Sequence, residues 1–164
     1  RGALGRCEVK QTTLRVLMVC LGNICRSPTA EAVLRHRLVA AGLSDRVEVD
    51  SAGTGGWHAG DPPDARAQRH ALLRGYDLAR LRARRVAESD FERCDLLLAM
   101  DEDNLAELER LKPVGSRAEV RLFAATEVPD PYAGAAQGFE NVLDQIELAS
   151  DELVVNLRGR LGTS

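Results

Sequence analysis

The sequence predicts an α/β fold of three layers, in which helices cover both faces of a four-stranded parallel sheet. Four short apolar runs are each followed by a segment with helical features. Strands that alternate with helices pair in parallel, because a parallel connection needs a crossover. The chain has 164 residues, of which 45% are hydrophobic and 29% charged. This length and composition are typical of one globular domain and argue against disorder.

The first strand and the first helix are predicted between Leu14 and Gly42. Residues 14–19 form a nearly continuous apolar run, which is typical of a strand buried on both faces. Pro28 favours the first turn of a helix, and Gly42 is a common residue just beyond the end of one. The apolar stripe and the i,i+4 ion pair of this helix are predicted as Ala30, Val33, Leu34 and Leu38, and as Glu31 with Arg35.

The remaining elements continue the alternation. Strands are predicted at residues 47–49, 95–100 and 119–123, and helices at 64–73, 88–92, 103–111 and from about 136. A glycine-rich loop at 51–60 follows the second strand. Right-handed crossovers place the loops that follow the strands at one edge of the sheet, where functional residues are expected. Residues 1–13 are interpreted as an N-terminal extension, native or introduced, and residues 14–164 as a single domain.

Composition excludes several classes of function. The formal net charge of −3 gives no support to a nucleic-acid partner. No segment approaches the length of a membrane span, and none resembles a secretory signal. The cysteines and histidines lack the spacing of a metal site, so no metal is expected and the histidines receive no role: Cys7, Cys20, Cys25, Cys94, His36, His58 and His70. Sparse cysteines favour a reduced, cytoplasmic setting.

The segment most informative about function runs from Cys20 to Arg26 and Ser27, between the first strand and helix. Five intervening residues suffice to curl the backbone so that successive N–H groups point inward and bind a tetrahedral oxyanion such as phosphate or sulfate. Gly22 permits tight curvature, and Asn23 tolerates a left-handed conformation. Arg26 offers two parallel donors to phosphate oxygens. The thiolate form of Cys20 is favoured here, poised for in-line attack on phosphorus.

The chemistry also needs a proton donor, because the leaving oxygen of a phosphate ester departs as an anion unless it is protonated. Asp130 is the candidate general acid, since Pro129 and Pro131 stiffen its loop after the fourth strand. The Ser27 hydroxyl could donate a hydrogen bond to the Cys20 sulfur.

Four motifs together resemble those of the low-molecular-weight protein tyrosine phosphatases: CLGNICRSP at 20–28, DSAGT at 50–54, AMDEDNL at 99–105 and DPY at 130–132. The likeness runs from about Leu14 to the last helix. It implies a flavodoxin-like, Rossmann-like fold. It also implies hydrolysis of phosphotyrosine in proteins through a phosphocysteine at Cys20, without metal or other cofactor.

The resemblance also implies roles for individual side chains. Arg26 would bind phosphate and Ser27 would tune the thiolate, while Asp130 would protonate the leaving phenol and then act as base towards water. Asn23 would brace the loop, with Ser51 as its supporting partner. The other members of the phosphate-binding loop are Leu21, Gly22, Ile24 and Cys25. Eukaryotic members carry a histidine near the asparagine where this chain has Leu81 or Arg82, so that part of the brace is left open.

Aromatic residues favour an aryl substrate. Trp57 and Tyr132 are predicted to form the rim of a slot that suits phosphotyrosine better than the shorter phosphoserine. Cys25 is a redox candidate, because a reversible disulfide with Cys20 would protect the nucleophile from over-oxidation. A small buried side chain is an equally good interpretation of Cys25.

Three other functions stay open. Arsenate reductase shares a similar fold and loop but relays electrons through additional cysteines, and here only Cys94 is available for that role. Phosphoarginine phosphatases resemble this chain but carry threonine where Ile24 stands. A non-catalytic phosphate-binding module would need neither a nucleophile nor an acid.

Overall fold

The computed structural model describes residues 13–162 and contains one parallel sheet in the order β2-β1-β3-β4. The strands are β1 (Leu14–Cys20), β2 (Val47–Gly53), β3 (Leu96–Ala99) and β4 (Glu119–Leu122). The helices are α1 (Arg26–Ala40), α2 (Ala65–Leu73), α3 (Asp90–Arg93), α4 (Glu102–Leu111) and α5 (Ala136–Arg160). The predicted α/β class and four-stranded parallel sheet are confirmed.

The two faces of β1 supply two separate hydrophobic cores, which is why its sequence is a continuous apolar run. Val16 and Met18 pack in the core beneath α1 and α5, whereas Leu17 and Val19 pack in the core that includes Leu108 of α4. Successive side chains of a strand point to opposite faces, so each apolar residue has a layer to fill. Helices therefore cover both faces of the sheet.

The helix α1 begins at Arg26, two residues earlier than its proline suggests. Pro28 stands in the first turn, where a missing N–H leaves no hydrogen bond unmade. The four predicted stripe residues are all buried. The predicted Glu31–Arg35 pair forms at 2.7 Å, but the side chain of Glu31 is only 2% exposed, so this pair reaches into the interior.

The second strand is longer than predicted, because it includes residues 51–53 of the expected glycine-rich loop. Gly53 lies beside Cys20 in the register, and a Cβ atom on Gly53 would lie 2.6 Å from the carbonyl oxygen of Leu21. Residue 53 must therefore be glycine for the end of β2 to pair with the end of β1. Other elements differ from the prediction by one or two residues at their ends.

The order β2-β1-β3-β4 creates a crevice between the carboxyl ends of β1 and β3, where successive connections leave in opposite directions. Ligands of open parallel sheets bind in such crevices. The predicted N-terminal extension lies outside the described residues apart from Thr13. Within residues 13–162, no helix combines the length and apolar character needed to cross a membrane.

Candidate active site

The nucleophile candidate Cys20 is the last residue of β1 and is 3% exposed. Its Sγ lies 3.0 Å from Ser27 Oγ and accepts the backbone N–H of Asn23 at 3.3 Å. Ser27 Oγ also accepts a hydrogen bond from the Asn23 amide at 2.7 Å. Two acceptors lie within reach of the Ser27 proton, the Cys20 sulfur at 3.0 Å and the carbonyl of Ala52 at 3.4 Å, and the sulfur is the nearer. The hydroxyl is thus set up to stabilise a thiolate.

The loop between Cys20 and α1 presents free amide donors. Within the described part of the chain, the N–H groups of Gly22, Ile24, Cys25 and Arg26 have no acceptor. They belong to a tight loop that runs directly into the N-terminus of a 15-residue helix. Free amide groups at a helix N-terminus attract an anion through both hydrogen bonding and the helix dipole. This arrangement is suited to a phosphate group above the sulfur.

Asn23 holds the loop in its shape. Its φ is 59°, and it is the non-glycine residue of the described chain that adopts a positive φ. Its side-chain amide donates to Ser51 Oγ at 3.1 Å as well as to Ser27, and its Oδ1 accepts the backbone N–H of Arg84 at 2.9 Å. Asn23 therefore adopts the predicted left-handed conformation, and both its amide nitrogen and its amide oxygen form hydrogen bonds.

The brace continues into the interior through Ser51 and Glu31. Ser51 Oγ donates to Glu31 Oε1 at 2.6 Å. Burial raises the pKa of Glu31, and the hydrogen bond from Ser51 and the charge of Arg35 oppose that rise. Sequence reasoning found Glu31 only as the i,i+4 partner of Arg35. Its link to the loop has no local signal, because Ser51 lies 20 residues away in another element.

Among the residues that the structure describes, no hydrogen bond joins Asn23 to Leu81 or Arg82, the positions suggested for the missing histidine. Leu81 packs against the main core, and Arg82 donates to the carbonyl groups of Ala79 and Leu81. The backbone of Arg84 supplies the contact instead. The backbone N–H of residue 84 can hold Asn23 whatever the side chain at that position, because its place depends only on the path of the backbone.

The guanidinium of Arg26 is buried and aimed by two acceptors. Its Nη1 donates to Asp101 Oδ2 at 2.7 Å and to the carbonyl of Val128 at 3.0 Å. Asp101 also caps α4 by accepting the N–H of Asn104 at 2.8 Å. Sequence reasoning explained Asp101 only as an acidic residue at a helix start. Its position directly after β3, at the carboxyl edge of the sheet, was the available signal for a role beside Arg26.

Asp130 lies at the same edge in the loop that follows β4. Its Oδ2 is 3.8 Å from Arg26 Nη2, and its Oδ1 accepts the N–H of Tyr132 at 3.0 Å. The Asp130 side chain is 47% exposed, whereas that of Arg26 is 3% exposed. The structure therefore brings Cys20, Arg26 and Asp130 to one end of the sheet, with the acid on the solvent side.

The predicted rim residues Trp57 and Tyr132 have different neighbours in the structure. Trp57 lies over the backbone of Gly55 and is 74% exposed, in a groove shared with Leu21 and α4. His58 has its ring centroid 6.5 Å from that of Tyr132, and a Cβ atom on Gly22 would lie 3.0 Å from its Cδ2. His58 therefore stands between the loop and Tyr132. Sequence reasoning gave it no role, because a lone histidine in a loop carries no spacing signal.

The described cysteines Cys20, Cys25 and Cys94 are free thiols. Burial, followed by the charges of Asp64 and Cys20, raises the pKa of Cys25 far above its usual value. Burial also raises the pKa of Cys94 to about 11. Within residues 13–162, no group of three His, Cys, Asp or Glu side chains is arranged to hold a metal ion.

Comparison with known proteins gives consistent matches along nearly the whole chain. The family model described as low molecular weight phosphotyrosine protein phosphatase matches residues 15–161. A low molecular weight protein-tyrosine-phosphatase of Streptomyces coelicolor is 46% identical over 156 residues, covering 89% of this chain and 94% of the relative.

Solved structures of related proteins superpose closely on the fold. A protein tyrosine phosphatase of Entamoeba histolytica, crystallised with Hepes in its active site, is 38% identical with a TM-score of 0.86, covering 90% of this chain and 98% of its own. A Drosophila arginine phosphatase is 32% identical with a TM-score of 0.84, covering 88% of this chain and 98% of its own.

Proposed function

The chain belongs to the low molecular weight phosphotyrosine protein phosphatase family, and from that premise we propose that it hydrolyses phosphotyrosine and other aryl phosphate monoesters through a phosphocysteine at Cys20. The observation that carries the proposal is the meeting of three groups at one edge of the sheet. A buried Cys20 sulfur lies at the base of a loop of free amide donors, and the guanidinium of Arg26 lies 3.8 Å from Asp130.

In the first step, the Cys20 thiolate attacks phosphorus from the side opposite the leaving oxygen. The S–P bond forms as the P–O bond to the aryl group breaks, and Asp130 gives its proton to the departing phenolate. Arg26 and the loop amides bind the equatorial oxygens, where negative charge spreads in the transition state. The aryl alcohol leaves neutral, and the phosphoryl group stays on sulfur.

In the second step, water attacks the phosphocysteine. Asp130, now a carboxylate, takes a proton from the water as the new P–O bond forms and the S–P bond breaks. Inorganic phosphate is released and Cys20 returns to the thiolate, which the Ser27 hydroxyl at 3.0 Å stabilises. Asp130 thereby regains the proton that it gave to the phenolate in the first step, and the enzyme returns to its starting state.

Most of the rate acceleration must come from the phosphate-binding loop and Arg26, because general acid–base catalysis contributes only a small part of it. Uncatalysed phosphate monoester hydrolysis is among the slowest of reactions, and accelerations of such reactions reach ~10²¹. General acid–base catalysis by a group such as Asp130 contributes about 10²–10⁴. The preorganised loop donors, Arg26 and the nucleophile must supply the rest. Groups that hold Arg26 and the loop in place, such as Asp101 and Asn23, therefore matter for the rate.

Features of the rim favour an aryl substrate over a phosphoarginine. Ile24 gives the loop an apolar side chain, and the Tyr132 ring is half exposed at the entrance, beside His58. The likeness to an arginine phosphatase extends over the fold, which these substrate classes share. An electron relay of the arsenate reductase kind is disfavoured by Cys94, because it precedes β3 and so lies at the edge opposite Cys20.

The first experiment measures hydrolysis of p-nitrophenyl phosphate, with chelator present, by the wild-type protein and by Cys20→Ser and Asp130→Ala. We expect activity in chelator for the wild type, none for Cys20→Ser, and a rate lowered by about 10²-fold for Asp130→Ala. Full activity of Cys20→Ser, or a requirement for metal, would rule out the mechanism.

The substrate class is tested with matched peptides that carry phosphotyrosine, phosphoserine or phosphoarginine. Phosphotyrosine peptides are expected to be cleaved fastest by a wide margin. Equal rates would remove the argument from Ile24 and the aromatic rim. A pull-down with the Cys20→Ser protein would then capture the cellular phosphoproteins that the enzyme binds.

We also propose that residues 14–164 act as one catalytic domain in a reducing cytoplasm, since the mechanism needs Cys20 as a free thiolate. Cys25 is the residue proposed to form a reversible disulfide with an oxidised Cys20. The raised pKa of Cys25 keeps its thiol protonated, so it would react with an oxidised Cys20 only slowly at neutral pH. Mass spectrometry after peroxide treatment would detect a Cys20–Cys25 disulfide in the wild type and its loss in Cys25→Ala.

A further inference from the structure

Arg66, on the first turn of α2, joins the phosphate-binding loop to the loop that carries the acid. Its Nη2 donates to the carbonyl oxygen of Tyr132 at 2.6 Å. Its Nε and Nη2 also donate to Asp64 at 3.2 and 3.1 Å. The guanidinium thus bridges two elements that are 66 residues apart in sequence.

The acid loop has few other anchors. Within the described residues, the bond from Arg66 is the hydrogen bond that ties residues 129–134 to another element. The bonds of Gly134 to Pro131 and of Tyr132 to Asp130 are internal to the loop. The ion pair between Arg26 and Asp130 is long, at 3.8 Å, and Asp130 is half exposed. Pro131 is buried against Phe139, and Arg66 adds the hydrogen bond that attaches the loop to α2.

Two aromatic rings lie close to the Arg66 guanidinium. Its Cζ lies 5.5 Å from the ring centroid of Tyr132 and 4.9 Å from that of Phe139 in α5. Cations attract the faces of aromatic rings at such distances. Arg66 thus contacts both the ring and the carbonyl group of Tyr132, two residues after Asp130.

The other end of the bridge is attached to the phosphate-binding loop. Asp64 caps α2 by accepting the N–H groups of Arg66 and Ala67, and its own N–H donates to the carbonyl of Ile24 at 2.8 Å. Burial opposes ionisation of Asp64, but hydrogen bonds from Arg66 and the helix N-terminus outweigh it and lower the pKa of this carboxyl. The anchor is therefore a carboxylate at neutral pH.

From these contacts we propose that Arg66 is a positioning residue, which sets the distance between Asp130 and the phosphate-binding loop and thereby the efficiency of leaving-group protonation. This inference rests on the proposed role of Asp130. Without Arg66, the acid loop keeps its sequence and its proton but spends less time within reach of the leaving oxygen. Proton transfer requires heavy atoms about 2.6–3.2 Å apart, so a small displacement of the loop is costly.

The test is the dependence of kcat/KM on the leaving group across a series of aryl phosphates. An acid matters most for esters of weakly acidic phenols, because their anions are poor leaving groups. For Arg66→Met we expect kcat/KM to fall about 10-fold for phenyl phosphate and less than about 3-fold for p-nitrophenyl phosphate, a part of the effect of a general acid. A loss of folded protein would lower both values equally and leave their ratio unchanged. Arg69→Met, an exposed arginine of the same helix, should match the wild type.

Two further variants separate the failure of this inference from the failure of the mechanism. Asp130→Asn should show a steeper leaving-group dependence than Arg66→Met, and adding Arg66→Met to Asp130→Asn should not steepen it further. If Asp130→Asn steepens the dependence and Arg66→Met does not, the positioning role is wrong and the mechanism stands. If Asp130→Asn has no effect on the dependence, the acid itself is misassigned.

Discussion

At the scale of single residues, Asn23 combines a backbone requirement with a side-chain requirement. A positive φ costs roughly 1–2 kcal/mol for most L-residues, and asparagine is among the few types that adopt it readily. Its side chain also makes three hydrogen bonds, to Ser27, Ser51 and the backbone of Arg84. Glycine could meet the first requirement but only asparagine meets both.

Two substitutions separate these requirements. Asn23→Gly removes the hydrogen bonds without strain, whereas Asn23→Ala removes them and adds left-handed strain. We expect Asn23→Ala to be less stable than Asn23→Gly by about 1 kcal/mol in urea unfolding, with kcat/KM strongly reduced in both. Equal stability of the two variants would contradict the role of backbone strain.

Asp101 is a second residue with two tasks, because one carboxylate caps α4 and orients Arg26. Asn is as good a helix cap as Asp, so Asp101→Asn keeps the cap and removes the charge beside Arg26. Charged hydrogen bonds are worth about 1.5–3 kcal/mol, which predicts a 10- to 100-fold loss of kcat/KM with little change in stability. Asp103→Asn, in the exposed first turn of the same helix, is the control and should retain full activity.

At the scale of elements, the short helix α3 is held by one buried carboxylate. Asp90 is fully buried and accepts two hydrogen bonds from Arg84, one from Arg93 and one from the N–H of Ala87. Arg84 also pairs with Asp50 at the side of β2, and its N–H holds Asn23. The ion pair thus fixes the segment against which the phosphate-binding loop rests.

Asp90 predicts a pH dependence of stability. Burial opposes its ionisation, but the bonds from Arg84 and Ala87 outweigh burial and lower the pKa of Asp90. A lowered folded-state pKa stabilises the protein above the unfolded value of about 3.9, and the contribution is lost as pH falls through the folded value. Asp90→Asn should cost about 3 kcal/mol at pH 7, and the gap from wild type should narrow below about pH 4.

The matched control for that measurement is Glu92→Gln, an exposed change on the same helix. It should leave the free energy of unfolding within about 0.5 kcal/mol of wild type at pH 7 and at about pH 3. A gap between Asp90→Asn and wild type that stays constant from pH 7 to pH 3 would contradict the assignment.

At the scale of the whole molecule, the phosphate-binding loop belongs to the folded state alone, so an anion that binds it stabilises the fold. Phosphate at 100 times its dissociation constant should add about 2.7 kcal/mol, which raises the Tm of a chain of this size by about 5–10 °C. Arg26→Ala should abolish the shift. Arg117→Ala, an exposed change at the opposite edge of the sheet, should preserve it. An equal shift in Arg26→Ala would place the anion elsewhere.

The whole fold was predictable because its signals are local and repeated. The apolar run of β1, the stripe of α1 and the glycines after the helices each depend on residues within a few positions of one another. Their alternation then leaves few topologies, and motifs at 20–28 and 130–132 identified the family that the comparisons confirm. The predicted β2 was too short because glycine is typical of loops, and only the pairing of Gly53 with Cys20 of β1 shows that it belongs to the strand.

Amino-acid order along the chain determined the elements, the identity of the nucleophile candidate and the edge of the sheet where chemistry is expected, because periodicity and strand–loop–helix patterns act over short distances. The arrangement around those residues was decided by packing between distant segments. Asp101 meets Arg26 across 75 residues, and Arg66 reaches Tyr132 across 66. Such pairings follow from the order of strands in the sheet and the crossing of helices over it, and a linear pattern carries no record of which side chains those crossings bring together.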